Sequence, residues 1–270
     1  MFRNMIIGQY IPRDSLIHHL DPRIKILSVI IVLTGVFLIK NPVGYLLLTV
    51  FSGFLVVIAQ IPTKLFLQSL RPILWLLIFT MVFHFFLTEG RTIAQLGPLI
   101  ITEEGVLRGI SMGWRLMLLI IFSSLLTLST SPLSLTDGLE SLLHPFKRIG
   151  IPVHELAMMI TIALRFIPTL LEEAEKIMKA QTARGMDFSQ GNIMKRVQAL
   201  IPLLVPLFIG AFRRADELAN AMEARCYRGG VGRTRMKELR AQTSDYLGLS
   251  LVLVIVAAAI LVNRYGNWSA

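Results

Sequence analysis

Residues 246–262 read YLGLSLVLVIVAAAILV, a run without a single charged side chain. A segment that crosses a bilayer must satisfy its own backbone hydrogen bonds, and a helix of about 20 mostly apolar residues does so. The run is read as a transmembrane helix, and the rest of the chain has the same character. Of its 270 residues, 54% are hydrophobic and 16% charged, where a soluble domain carries about 25% charged residues.

Four further spans are read upstream, at residues 26–39, 43–61, 72–88 and 111–131. The first is short, but Lys25 and Lys40 flank it and their aliphatic stems can snorkel to the two interfaces. Gly35, Gly53, Ser123 and Ser124 fall inside spans, where small residues allow helices to approach closely. The stretch from Met1 to Lys25 is polar, basic and broken by Pro12 and Pro22, so the first span is expected to be an uncleaved anchor. Cys226 is the single cysteine, so no intrachain disulfide can form.

The basic residues predict sidedness. Arg3, Arg13, Arg23 and Lys25 precede the first span, and Lys64 and Arg71 separate the second from the third. The next loop carries Glu89, Glu103 and Glu104 against Arg91 and Arg108. Cytoplasmic loops are rich in Lys and Arg, so the N-terminus is expected in the cytoplasm and the Glu-bearing loop outside. Net charge is +10. Sixteen of the 27 Lys and Arg lie in residues 146–245, beside membrane segments, which favours a cytoplasmic module over nucleic-acid binding.

The chain thus divides into residues 1–133, with four spans, a module over 134–245, and a last span and tail over 246–270. The middle module is too charged to cross throughout and too apolar to be a solvated linker. Three helices are predicted in it: a short one from Thr136 as cap to a stop at Gly150, one from Pro152 to Arg184 before Gly185, and one from Asn192 to Tyr227 before Gly229 and Gly230. The apolar run 199–212 is about 21 Å long as a helix, short of a hydrocarbon core of about 30 Å. It fits the membrane surface or a groove against the spans, and a further pair of spans here would leave the final sidedness unchanged.

The two long helices echo each other. A shift of 41 residues places Ala174 on Ala215, Glu175 on Asp216, Ala180 on Ala221, and Ala183-Arg184 on Ala224-Arg225. Arginine in a last helical turn is favoured by the helix dipole alone. Here small neighbours leave each guanidinium uncovered: Ala183 and Gly185 beside Arg184, Ala224 and Cys226 beside Arg225. Five donors on a slim helix end suit an acidic groove on a partner protein.

At these residues the chain resembles the transmembrane T component of energy-coupling factor transporters, the EcfT family of ABC-type importers for vitamins and some metal ions. The resemblance covers most of the chain, including Gly8-Gln9-Tyr10, residues 15–25 with Leu20-Asp21-Pro22-Arg23, the spans and both Ala-Arg tips. It implies an all-α polytopic membrane protein of about five transmembrane helices plus long cytoplasmic coupling helices, in the plasma membrane of a prokaryote. It implies that Ala183, Arg184 and Gly185, with Ala224, Arg225 and Cys226, dock into two ABC-type ATPase subunits; Cys226 departs from the family's Ala-Arg-Gly pattern. It also implies a substrate-binding membrane S component as partner, and ATP and Mg handled by the ATPases, with no cofactor on this chain.

The sequence carries no G-x-x-x-x-G-K-[ST] phosphate loop. Two rival readings differ in class. A stand-alone secondary transporter would want ionisable residues within its spans, for which His84 and Arg115 are the candidates. A membrane enzyme finds only scattered histidines, His18, His19, His84, His144 and His154, without ligand spacing, and Glu172, Glu173 and Glu175 on a face shared with Lys176 and Lys179. Asp21-Pro22 reads as a helix cap and first-turn proline, with Arg23 and Lys25 as interfacial anchors.

Overall fold

The computed structural model describes residues 10–96, 99–186, 192–230 and 239–265; Arg3, Gly8 and Gln9 lie outside the described residues. After a single turn, α1 (Leu16–His19), the first long helix α2 (Pro22–Leu38) starts as its sequence dictates. Asp21 accepts the Arg23 N–H at 2.9 Å, and Pro22 occupies the first position, where no N–H is needed. Asn41 and Pro42 repeat the device for α3 (Pro42–Ile58), with a 3.0 Å bond from Val43. There follow α4 (Thr63–Leu87), strands β1 (Thr92–Leu96) and β2 (Leu99–Thr102), α5 (Glu103–Ser129) and α6 (Pro132–Leu143). A 3-10 turn at His144–Ile149 leads to α7 (Val153–Ala183), α8 (Ile193–Ala224) and α9 (Thr243–Tyr265).

Among the described residues the chain is all-α apart from one antiparallel hairpin, β1–β2, in the Glu-bearing loop. Among the described residues four helical segments are long and apolar enough to cross a membrane: Glu103–Ser129, Val153–Ala183, Gln198–Ala224 and Thr243–Asn263. Shorter apolar helices stand at Pro42–Ile58 and Ile73–Leu87. Two spans begin earlier than their apolar runs. Helix α4 starts at Thr63, and α5 starts at Glu103, where the Thr102 hydroxyl accepts the Gly105 N–H at 3.1 Å and two glutamates face the positive end of the dipole. The short helix of the middle module also begins before Thr136. The Ser131 hydroxyl accepts the Ser134 N–H at 3.2 Å and Pro132 takes the first position, while Thr136 bonds back to the Pro132 carbonyl inside the helix. Gly150 ends the following turn at φ +88°, as its position suggests.

Two compact units emerge. The described part of one is residues 10–96, 99–141 and 239–265, whose core draws Val32 and Val36 from α2, Leu48 and Phe51 from α3, Leu118, Phe122 and Leu125 from α5, and Val256 and Ala259 from α9. Gly35 lets α9 approach, since a Cβ there would lie 2.6 Å from Val256. Gly53 has open space around it and Ser123 is exposed, so neither makes the close approach expected of it. That role falls to Gly105, Gly109 and Gly113, four residues apart on α5, where side chains would collide with the His84 carbonyl, the Phe85 ring and Met81 of α4.

The flanking lysines behave differently from each other. Lys40 is exposed, as a snorkelling residue should be. Lys25 is buried and does not snorkel: its Nζ donates to the carbonyls of His18 and Ser129, each at 3.1 Å. The carbonyl of Ser129 at the end of α5 has no following turn to bond it, so the ammonium stays inside to satisfy it.

Candidate functional site

The second unit, of which residues 142–186 and 192–230 are described, holds both predicted tips. Helices α7 and α8 run antiparallel. Glu173 pairs with Arg214 and lies against Gly210, where a Cβ would meet its Oε1 at 2.9 Å. Toward the start of α7, His154 packs on Gly230, beyond the end of α8. Pro168 lies within α7, and Pro202 and Pro206 within α8, so all three are intrahelical as read from the sequence.

The ends of the two helices match in backbone detail. At the first, the Gly185 N–H bonds the Thr182 carbonyl at 3.0 Å and the Met186 N–H bonds the Gln181 carbonyl at 3.1 Å. At the second, Cys226 bonds Glu223 at 2.8 Å and Tyr227 bonds Met222 at 3.0 Å. Each bond maps onto its counterpart by the 41-residue shift, and both sets form the paired 6→1 and 5→2 bonds of a Schellman stop. The motif needs a left-handed residue after the cap. Gly185 supplies it at φ +88° and Cys226 at +56°. Cys226, the position that departs from Ala-Arg-Gly, therefore does the backbone work of the glycine.

The same shift carries Glu173 onto Arg214, so the ion pair joins equivalent positions of the two helices. An antiparallel pair joined at equivalent positions has local pseudo-twofold symmetry about that junction. Arg184 and Arg225 each lie 11 residues beyond it, roughly 16 Å along their own helices and in opposite directions. Ala183, Arg184, Gly185, Ala224, Arg225 and Cys226 are all exposed. Sequence reasoning singled out these six residues as docking candidates and did not read the symmetry, although the shift already aligned 173 with 214.

A left-handed cysteine costs about 1 kcal/mol relative to glycine. Cys226→Gly is therefore expected to slow amide exchange at Tyr227 by about twofold to fivefold, and Cys226→Val to speed it. Hydrogen-exchange mass spectrometry of peptides spanning residues 222–227 measures this, and equal exchange in all three proteins would deny the cap.

In the first unit, Leu20, Asp21 and Pro22 of the Leu-Asp-Pro-Arg stretch line a polar cleft of about 340 Å³ with Lys25, Ser129, Thr130, Ser134 and Asp245. Asp245 accepts the Asp21 N–H at 2.8 Å and the Gln242 N–H at 2.6 Å, and Arg23 donates to the Leu239 carbonyl. His18 accepts from Ser15 through Nδ1 at 2.6 Å and donates from Nε2 to the Ile11 carbonyl at 3.1 Å. Burial, then the Lys25 cation, holds its imidazole below the ordinary value, so it stays neutral in this tautomer. These charges bond the protein's own backbone, tying the start of α9 and the end of α5 to the start of α2. Arg115, a candidate for a solute route, bonds the Tyr45 hydroxyl at 2.8 Å and the Ile39 carbonyl at 3.3 Å.

The sequence model of the CbiQ family, described as a cobalt transport protein, matches residues 13–237. The chain is 52% identical over 263 residues to the energy-coupling factor transporter transmembrane protein EcfT of Thermosediminibacter oceani, covering 97% of this chain and 99% of the relative. It belongs to the EcfT family. The EcfT of Ruminiclostridium cellulolyticum is 53% identical over 97% of this chain and 98% of its own length. That of Bacillus subtilis is 46% identical over 98% and 100%. The chain is thus the transmembrane component of an energy-coupling factor transporter, a membrane protein that is not itself an enzyme, and such a component works within a complex.

Proposed function

We propose that this chain transmits ATP-driven motion from two ABC-type ATPase subunits to a separate substrate-binding membrane subunit that imports a vitamin or other micronutrient. Ala183-Arg184-Gly185 and Ala224-Arg225-Cys226 dock the two ATPases, which bind ATP and Mg. The N-terminus faces the cytoplasm of a prokaryote and the chain sits in its plasma membrane. One observation carries the reading: two exposed arginine tips with matching caps, spaced equally about the Glu173–Arg214 junction. A pseudo-twofold pair of docking elements suits two like subunits. When the ATPases close on ATP, the tips draw together, and the helices turn about their junction. That motion shifts the exposed apolar faces around Leu156 and Met159 on α7 and Phe208 and Phe212 on α8, which hold the substrate-binding subunit.

Purifying the tagged chain from its native membrane tests this. Two ATP-binding subunits and one or more small hydrophobic proteins are expected by mass spectrometry. A chain that purifies without ATP-binding subunits and transports solute alone in liposomes would instead be a secondary transporter.

A further inference from the structure

The guanidinium of Arg115 is only partly used by the protein. Its Nε and Nη2 donate to the Tyr45 hydroxyl at 3.1 and 2.8 Å, and Nη2 also reaches the Ile39 carbonyl. Nη1 faces the Met112 sulfur at 3.8 Å, a weak acceptor. Every one of these partners is neutral, and among the described residues no carboxylate pairs with Arg115. An arginine in a membrane protein ordinarily finds a counter-charge, because a lone cation near hydrocarbon is costly.

We propose that Arg115 binds the phosphate group of a phospholipid through its open Nη1 edge. Depth supports this. The Ile39 carbonyl ends α2, and in the next two residues the Lys40 and Asn41 N–H groups both bond Asn263 Oδ1 at 3.0 Å. This polar turn closes the apolar runs of α2, α3 and α9, so it marks the level where hydrocarbon gives way to headgroups. Trp114, the residue before Arg115, is partly exposed and donates its ring N–H to Thr49 at 2.8 Å, one turn along α3 from the Tyr45 that Arg115 bonds.

Position around the bundle supports it as well. The guanidinium carbon lies 6.0 Å from the centre of the Phe37 ring. Phe37 and Leu38 are 60% and 56% exposed, and Met112 is exposed as well. The rim is apolar and outward-facing, as a surface for acyl chains should be, with cationic groups where the chains end. Lys40, exposed and adjoining Ile39, supplies a second charge. A protein carboxylate could meet the same donors, but it would not call for an apolar rim at chain level.

Native mass spectrometry of the purified full chain in neutral detergent tests the site with three probes: phosphatidylglycerol, diacylglycerol and inorganic phosphate. Wild type is expected to hold phosphatidylglycerol roughly tenfold more tightly than Arg115→Gln, the loss of one charge-assisted contact. Lys40→Gln, at an exposed side chain, should weaken it less, and it serves if Arg115→Gln fails to fold. Diacylglycerol should bind all proteins equally. Inorganic phosphate binding as tightly as the lipid would overturn the lipid assignment. Equal phosphatidylglycerol binding by wild type and both variants would overturn the site. If the variants bind lipid normally and instead lose a protein subunit, the partner is a protein carboxylate and the proposal fails.

Discussion

Changing Arg184 and Arg225 together to glutamine is expected to strip both ATPases from the complex and stop uptake, while the chain reaches the membrane in normal amount. Both arginines are exposed, and neither makes an ion pair among the described residues, so their removal breaks no ion pair there. Exposed substitutions of this kind usually change stability by no more than about 0.5 kcal/mol. In a partner's groove the same side chain makes charge-assisted bonds worth about 1.5–3 kcal/mol each. Losing one weakens docking by roughly tenfold to a hundredfold, since 1.4 kcal/mol is about tenfold. Single variants should keep part of the complex, because an ATPase held at one tip keeps its partner near the other. Glutamate at both positions should be harsher than glutamine, since a negative charge at a helix C-terminus also opposes the dipole. Affinity purification with quantified ATPase bands, alongside membrane yield, reads the result. A double variant that retains both ATPases at wild-type yield would remove the docking role.

The parts legible in the sequence were those set by local chemistry. Asp21-Pro22 announces a helix start because cap and proline act within three residues, and the structure has both. The tips were legible because a stop needs only a left-handed residue after the cap, and Gly185 advertises one. Cys226 did not, since cysteine has no preference for that conformation; only the 41-residue echo pointed to it. Span boundaries failed where hydropathy and helix formation part company. Glu103, Glu104 and Arg108 are too polar for hydrocarbon but good for a first helical turn, so α5 extends beyond its apolar run. Gly105 and Gly109 sat in that polar stretch and Gly113 just inside the apolar run, so their four-residue spacing crossed the boundary and went unread. The β1–β2 hairpin depends on pairing across a loop, which residue charge does not reveal. The burial of Lys25 depends on residues more than 100 positions away, and no local pattern encodes it.

That burial yields the other large expected effect. Lys25→Met should sharply lower the stability of the folded chain, whereas Lys40→Met should change it little. The two lysines flank the same helix, and interfacial anchoring alone would make them equivalent. Lys25 instead bonds two backbone carbonyls and lines the same cleft as Asp21 and Asp245, which are both buried. Methionine preserves much of the stem but leaves the carbonyls unbonded and the carboxylates without their buried cation. Lys25 feels the attraction of both carboxylates, and removing one member of a buried group of opposite charges costs up to about 3–5 kcal/mol. Against a total stability of about 5–15 kcal/mol, that lowers the folded population by orders of magnitude. Asp245→Asn alone should also destabilise, since an amide has one oxygen to offer where the carboxylate accepts from both Asp21 and Gln242. In the double variant, however, one orphaned charge is gone, so Lys25→Met and Asp245→Asn together should cost less than their sum. Thermal unfolding in detergent, followed by the monodisperse fraction, measures all four proteins. If Lys25→Met melts with Lys40→Met, Lys25 is an anchor at the membrane surface after all; if only the pairing term is absent, the ammonium serves the carbonyls and not the carboxylates.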